Sequence, residues 1–313
     1  MGLAHLSFCT CVAIFLLSIC SLPSFALSRD TKNVKPKHEP LGFLQNLVGC
    51  EKGDAVEGLR ELKQYLHKFG YLQSYSPSLD NTARDDSFDD LLESAIRTYQ
   101  LNYNLNVTGK LDDRTVEQMI KPRCGVPDII NGTTSMNSGK AHHSQSAGVH
   151  VVMHYNVNQG GHKWLKTQLT YAFLNSGNSL RSVAARAFSK WSAVTKFSFQ
   201  EIQDPDSADI KIGFFAGNHG DDDPFDGPGG ILAHSYYPTI GWFHLDKEER
   251  WSTNPSMDEI DLESVTVHEM GHLLGLAHSS DENAVMYPTI APGVVKRELQ
   301  QDDIDGISDL YDL

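Results

Sequence analysis

A short run near residue 270 constrains this 313-residue chain more than anything else in it. His268 and His272 stand at i and i+4, so on a helix their imidazoles project about 40° apart, near enough to share one ion. Glu269 lies one residue round from the first. Its carboxylate can reach a water on that ion without becoming a ligand. Gly275 offers a positive-φ turn to end the helix, and His278 can then swing back as a third ligand. Three imidazoles leave a fourth position open, as in catalytic rather than closed structural zinc sites. The plain alternative is a surface helix with incidental histidines.

Charge is distributed unevenly around this run. Residues 149–313 carry 11 Lys+Arg against 24 Asp+Glu, a net of −13, whereas residues 28–148 carry 15 against 16. The C-terminal segment also holds 9 of the 14 histidines. Acids and imidazoles together suit hard and borderline cations, although a soluble acidic domain has the same composition. The overall charge of −14 argues against a nucleic-acid partner, which needs a basic face. It lends no support to an anionic membrane surface.

Phe8 to Cys20 is the long apolar run. It is short for a transmembrane helix, and Ser24 and Ala26 place small residues where signal peptidase cuts. Residues 1–26 therefore read as a signal peptide, though no Lys or Arg precedes the run; a retained anchor is the alternative. No apolar tail precedes Leu313, so no GPI signal or second anchor is expected. The expected location is extracellular. Cleavage would remove Cys9, Cys11 and Cys20 and leave Cys50 and Cys124, too few for a disulfide scaffold. Residues 149–313 contain no cysteine, so a metal site there must use His and carboxylates. Asn106 and Asn131 each open an N-x-Thr glycosylation acceptor.

Three helical stripes follow a basic stretch from Arg29 to Pro40: Val56 to Phe69, Leu91 to Tyr99, and Val116 to Ile120, the last ended by Pro122. Residues 129–148 are small and polar, a linker open to proteases. Beyond Val149, strands are expected at 168–173, 197–202 and 208–214. Helices are expected at Ser179–Thr195, with Ser179 as N-cap, around Ser264–Leu274 and near Gln300–Tyr311. Strand, helix, strands and helices imply an α/β or α+β domain.

His268-Glu-x-x-His272-x-x-Gly275-x-x-His278, followed by Ala284-Val-Met286-Tyr-Pro288, resembles the metzincins with their Met-turn. Pro122-Arg-Cys124-Gly-Val-Pro-Asp128 resembles the cysteine switch of the matrix metalloproteinases, or matrixins. The resemblance extends over nearly the whole chain after residue 26, and Gly49-Cys-Glu-Lys-Gly53 looks like the plant branch. No hemopexin repeat follows. The resemblance implies an α/β matrixin catalytic domain (a twisted mixed sheet with three helices) at 149–313. Before it would come a pro-region at 27–148, containing an all-α peptidoglycan-binding-like domain at about 45–121 and the switch at 122–128. Met286, which alone would read as core filler, becomes the apolar floor under the zinc. Cys124 becomes a fourth zinc ligand that keeps the enzyme latent, with Arg123 and Asp128 pairing to hold the loop. A Cys50–Cys124 disulfide is the alternative, and it would disable the latch.

His219, Asp221, His234 and His244 form a closed four-ligand set suited to a structural zinc. Asp226, Asp246 and Glu249, with carbonyls among glycines, suit calcium. By resemblance the calcium ligands are Asp226, Gly227, Gly229, Ile231, Asp246 and Glu249; a solvated acidic loop is the alternative. Two zinc ions and at least one calcium are therefore expected. The loop Ser235–Phe243 is about three residues shorter than in vertebrate members, so no calcium is assigned to Asp209.

The expected activity is zinc-dependent endoproteolysis of extracellular or cell-wall proteins, with Glu269 as general base. By resemblance, Gly230–Ala233 aligns the substrate and Pro288–Ile290 walls a pocket for a hydrophobic P1′ side chain. An activating protease would remove the pro-region, and the new ammonium, near 148–153, would pair with Asp302 or Asp303. Three other readings stand beside this one: a wall-binding or adhesion protein working through its helical region, a metalloenzyme of another metzincin branch, and a hydrolase acting on a non-peptide substrate.

Overall fold

The computed structural model describes residues 40–73, 86–134, 136, 140–141, 152–153, 161–175 and 177–313. The expected signal peptide, most of the basic stretch, part of the expected linker and the expected new N-terminus up to residue 151 lie outside the described residues.

Three helices build the N-terminal part: α1 (Leu59–Lys68), α2 (Asp90–Asn102) and α3 (Asp113–Met119). α1 starts three residues later than the Val56 stripe suggests, because Gly58 holds φ +104° and interrupts the helix there. Asp89 and Asp112 cap α2 and α3, their carboxylates accepting from Leu92 N at 2.8 Å and Thr115 N at 2.9 Å. Leu59, Leu62, Leu66, Leu92, Ile96, Tyr99, Val116 and Met119 close into one core, which also takes in Ile231 and Tyr287 from the C-terminal part.

The C-terminal part is a mixed sheet flanked by helices. Its strands are β2 (Gln168–Asn175), β3 (Ser198–Glu201), β4 (Ile210–Phe215), β5 (Ile231–Ser235) and β6 (Trp242–Asp246). A two-residue strand β1 (Arg123–Cys124) adds to the β5 edge, giving the order β1-β5-β6-β4-β2-β3. β5 runs antiparallel to β6 and parallel to β1; the other neighbours are parallel. The helices are α4 (Asn178–Val194), α5 (Leu262–Leu273) and α6 (Gln301–Tyr311). Gly177, rather than Ser179, takes the N-cap position of α4. Leu180, Val183, Ala187 and Trp191 of α4 face α5, and the Trp191 indole N–H donates to Val267 O at 3.0 Å.

Every residue of α5 is buried. A helix enclosed on all sides carries no polar face, and its start is set by a cap instead. Asp261 accepts from Ser264 N at 3.0 Å and pairs with Arg297 at 2.6 Å.

Candidate active site and cation clusters

α5 presents His268 and His272 on one face. Gly275, at φ +104°, then reverses the chain, with Leu276 N bonded to Gly271 O at 2.9 Å. That reversal returns His278 to the other two. His268 Nδ1 lies 2.7 Å from Val285 O and His272 Nδ1 2.8 Å from Leu276 O, so each donates from Nδ1 to a backbone carbonyl. The tautomer this selects leaves Nε2 lone pairs directed inward. The His268 and His272 Nε2 atoms lie 3.1 Å apart, and His278 Nε2 is buried without a hydrogen-bond partner.

Cys124 completes the set. Its Sγ lies 3.4 Å from His272 Nε2, and one ligand atom from each of Cys124, His268, His272 and His278 falls within 4.8 Å of the others. Three imidazoles and a thiol converging this closely, with a buried orphan nitrogen among them, fit a four-coordinate zinc. Burial pushes the His268 imidazole down to about 3 and His272 well below its ordinary value, so both are neutral, the form that binds metal. Cys50 and Cys124 are both free thiols, which sets aside the disulfide.

Glu269 is fully buried, and neither carboxylate oxygen has a hydrogen-bond partner. Burial pushes its carboxyl up to about 7. Met286 packs against α5 at Gly271, next to His272: a Cβ on Gly271 would collide with its sulfur. The turn around Met286 is held by Asp303, which accepts from Val285 N at 2.9 Å and Met286 N at 3.0 Å. Asp303 is thus occupied by this turn, while Asp302 accepts from the Ser279 hydroxyl at 2.7 Å.

The segment 122–128 lies in the cleft beside this site. Arg123 N donates to Gly230 O at 2.9 Å and Gly125 N to Ala233 O at 2.8 Å along β5. On the opposite wall Cys124 N donates to Pro288 O at 2.9 Å and Ile290 N to Pro122 O at 3.1 Å. Arg123 is buried, stacks 3.4 Å from the Phe69 ring centroid and meets Asp128 through both NH groups, at 2.8 and 3.1 Å. Beyond the cleft, Leu232, Val265, Val285, Tyr287, Pro288, Thr289 and Ile290 surround a small pocket behind Glu269.

The second histidine cluster also converges. A single Asp221 oxygen lies 2.8 Å from His219 Nε2, 2.8 Å from His234 Nε2 and 2.7 Å from His244 Nδ1. His234 and His244 stand opposite each other on β5 and β6. Burial pushes His234 down to about 4; Asp221, despite its own burial, is held at about 2 by hydrogen bonding to His234. Three imidazoles and a carboxylate converging on one point fit a structural zinc.

The expected calcium loop is stitched by its own acids. Asp226 accepts from Ile231 N at 2.8 Å and Glu249 from Gly229 N at 2.6 Å. Asp246 is fully buried, and its second oxygen has no partner. A buried carboxylate oxygen left orphaned beside a glycine-rich turn fits a hard cation. Asp209 accepts from Thr170 N at 2.8 Å and pairs with Lys166 at 2.6 Å. Asn106 and Asn131 are both exposed.

Sequence reasoning missed two contributors. Asp261, three residues before the expected helix start, caps α5. Asp128, expected only as the partner of Arg123, also touches His278 at 2.8 Å. An acid just before a helix is a signal that could have found the first; no local pattern encodes the second.

Comparison with known proteins agrees with this geometry. The Matrixin family matches residues 163–312, and the Putative peptidoglycan binding domain family matches residues 56–119. Metalloendoproteinase 5-MMP of Arabidopsis thaliana is 42% identical over 313 residues, covering 96% of this chain and 82% of the relative. Metalloendoproteinase 1 of Glycine max is 47% identical over 273 residues, 83% of each chain. Matrix metalloproteinase-16 of Homo sapiens is 34% identical across 88% of this chain but only 45% of its own length. With the zinc-suited histidines, the cleft and these likenesses in agreement, the chain belongs to the matrixin family, on its plant-type branch, and is a zinc metalloendopeptidase.

Proposed function

We propose that this chain is secreted as a latent zymogen and, once its pro-region is removed, cleaves extracellular or cell-wall proteins. The observation that carries this is the Cys124 thiol placed among His268, His272 and His278 by a segment that fills the cleft. The domain limits proposed are a signal peptide at 1–26, a pro-region at 27–148 and a catalytic domain at 149–313. Among the described residues no helix is long and apolar enough to cross a membrane.

His268, His272 and His278 would hold a zinc ion, which would supply Lewis acidity toward a carbonyl and acidify a water. Glu269 takes the proton of the attacking water and delivers it to the departing amine, a role suited to a buried carboxylate beside the three imidazoles. Gly230 O and Ala233 O, now taken by Arg123 and Gly125, would receive the N–H groups of an extended substrate. The pocket behind Glu269, walled by Val265, Val285 and Ile290, would take a hydrophobic P1′ side chain. His219, Asp221, His234 and His244 would hold a second, structural zinc. Asp226, Asp246 and Glu249, with carbonyls of Gly227, Gly229 and Ile231, would hold calcium. Asn106 and Asn131 would carry glycans. An external protease would cut in the linker. The new ammonium would then pair with Asp302 or Asp303.

The test is latency. The secreted, uncut chain should turn over a quenched peptide with Leu at P1′ only after its thiol is modified or after Cys124→Ser substitution. An uncut wild-type chain as active as Cys124→Ser would refute the switch.

A further inference from the structure

The three histidines are not held alike. His268 and His272 direct Nδ1 at carbonyls of their own domain, Val285 O and Leu276 O. His278 directs Nδ1 at Asp128, 2.8 Å away, 150 residues earlier in the chain and within the cleft-filling segment. Both side chains are fully buried. Arg123 approaches Asp128 at 2.8 Å and 3.1 Å, Tyr71 OH at 2.9 Å and Tyr103 OH at 3.3 Å. A carboxylate so fixed cannot turn away from the imidazole.

We propose that Asp128 is a positioning residue for His278 as a metal ligand, so that the segment carrying the latch also tightens zinc binding. A carboxylate on the distal ring nitrogen fixes the tautomer and ring orientation and strengthens the imidazole as a donor. The other two ligands keep their supports when the pro-region leaves; His278 alone exchanges a carboxylate for solvent. The latent chain is therefore the form built to load and retain metal, and maturation loosens the third ligand. This inference rests on the zinc reading of His268, His272 and His278 and extends it to regulation of the same site.

The test uses the full secreted chain in a Cys124→Ala background, which removes the thiol's own contribution to affinity. Asp128→Asn and, as control, Arg123→Gln are compared by chelator competition for zinc and by 15N NMR of the zinc-loaded imidazoles. Arg123→Gln disturbs the buried pair but leaves the carboxylate facing His278. Asp128→Asn should weaken zinc binding about 10–100-fold and move the His278 Nδ1 resonance while those of His268 and His272 stay in place. Arg123→Gln should do neither to the same extent. Unchanged affinity in Asp128→Asn, or equal loosening in both variants, would overturn the inference and leave the zinc reading intact. A wild-type chain whose zinc affinity is unaltered by His268→Ala would instead overturn the zinc reading itself, and this inference with it.

Discussion

Arg123→Ala should raise the open population of the latch without cleavage while most chains stay closed, and the size of the effect follows from burial. Arg123 and Asp128 are 1% and 0% exposed, and Arg123 also donates to Cys124 O at 3.0 Å and stacks on Phe69. Removing one member of a buried pair costs about 3–5 kcal/mol, because the other charge stays behind. Asp128 would keep Tyr71, Tyr103 and His278 as donors, so the lower end applies. About 3 kcal/mol corresponds to roughly a 150-fold rise in the open population, at about 1.4 kcal/mol per tenfold. The assay is the rate at which a small disulfide reagent labels Cys124 under native conditions, in a Cys50→Ser background so that one thiol reports. With reclosure faster than labelling, the rate follows the open population. A rise of only a few-fold in a protein that keeps its fold would refute the account of what holds the segment down. Because the pair is buried, salt should change the wild-type rate little.

Three further outcomes are expected. Gly271→Ala forces a methyl into the Met286 sulfur and against Trp191; overpacking of this kind costs about 1–3 kcal/mol, read as a lower denaturation midpoint with loss of activity. Asp261→Asn should lower stability near neutral pH. Burial raises the Asp261 carboxyl, but Arg297 and Ser264 outweigh it and hold it below the usual range. A depressed native pKa stabilises fully above the unfolded value of about 3.9 and is lost as pH falls through the native one. The difference between wild type and Asp261→Asn should therefore be constant above about pH 5 and shrink below about pH 4. Selective removal of calcium should lower the melting temperature, and Asp246→Asn should abolish most of that calcium response; a melting temperature indifferent to calcium would refute the assigned loop.

The sequence shows the chemistry more plainly than it shows the support. Histidine spacing and Gly275 locate the metal site because a helix and one turn fix their geometry locally. The stripes at Leu62, Leu66, Leu92 and Ile96 locate the small helical core because each helix has a polar face. α5 escapes a periodicity test: it is buried all round, so its start at Leu262 is set by Asp261 and not by any alternation. The pairing of Arg123–Cys124 with Ile231–Ala233 and the contact between Asp128 and His278 join residues more than a hundred apart. Such contacts depend on packing of the whole domain, and no local pattern carries them.

The central claim is tested most directly by comparing the processed enzyme with Glu269→Ala on a quenched peptide, both with zinc content measured and with a chelated sample alongside. Turnover in the wild type, lost by at least about a hundredfold in Glu269→Ala with its zinc retained, and lost on chelation, is the predicted result. Equal turnover in Glu269→Ala, or a folded, zinc-loaded, processed enzyme inactive across a broad peptide library, would contradict it.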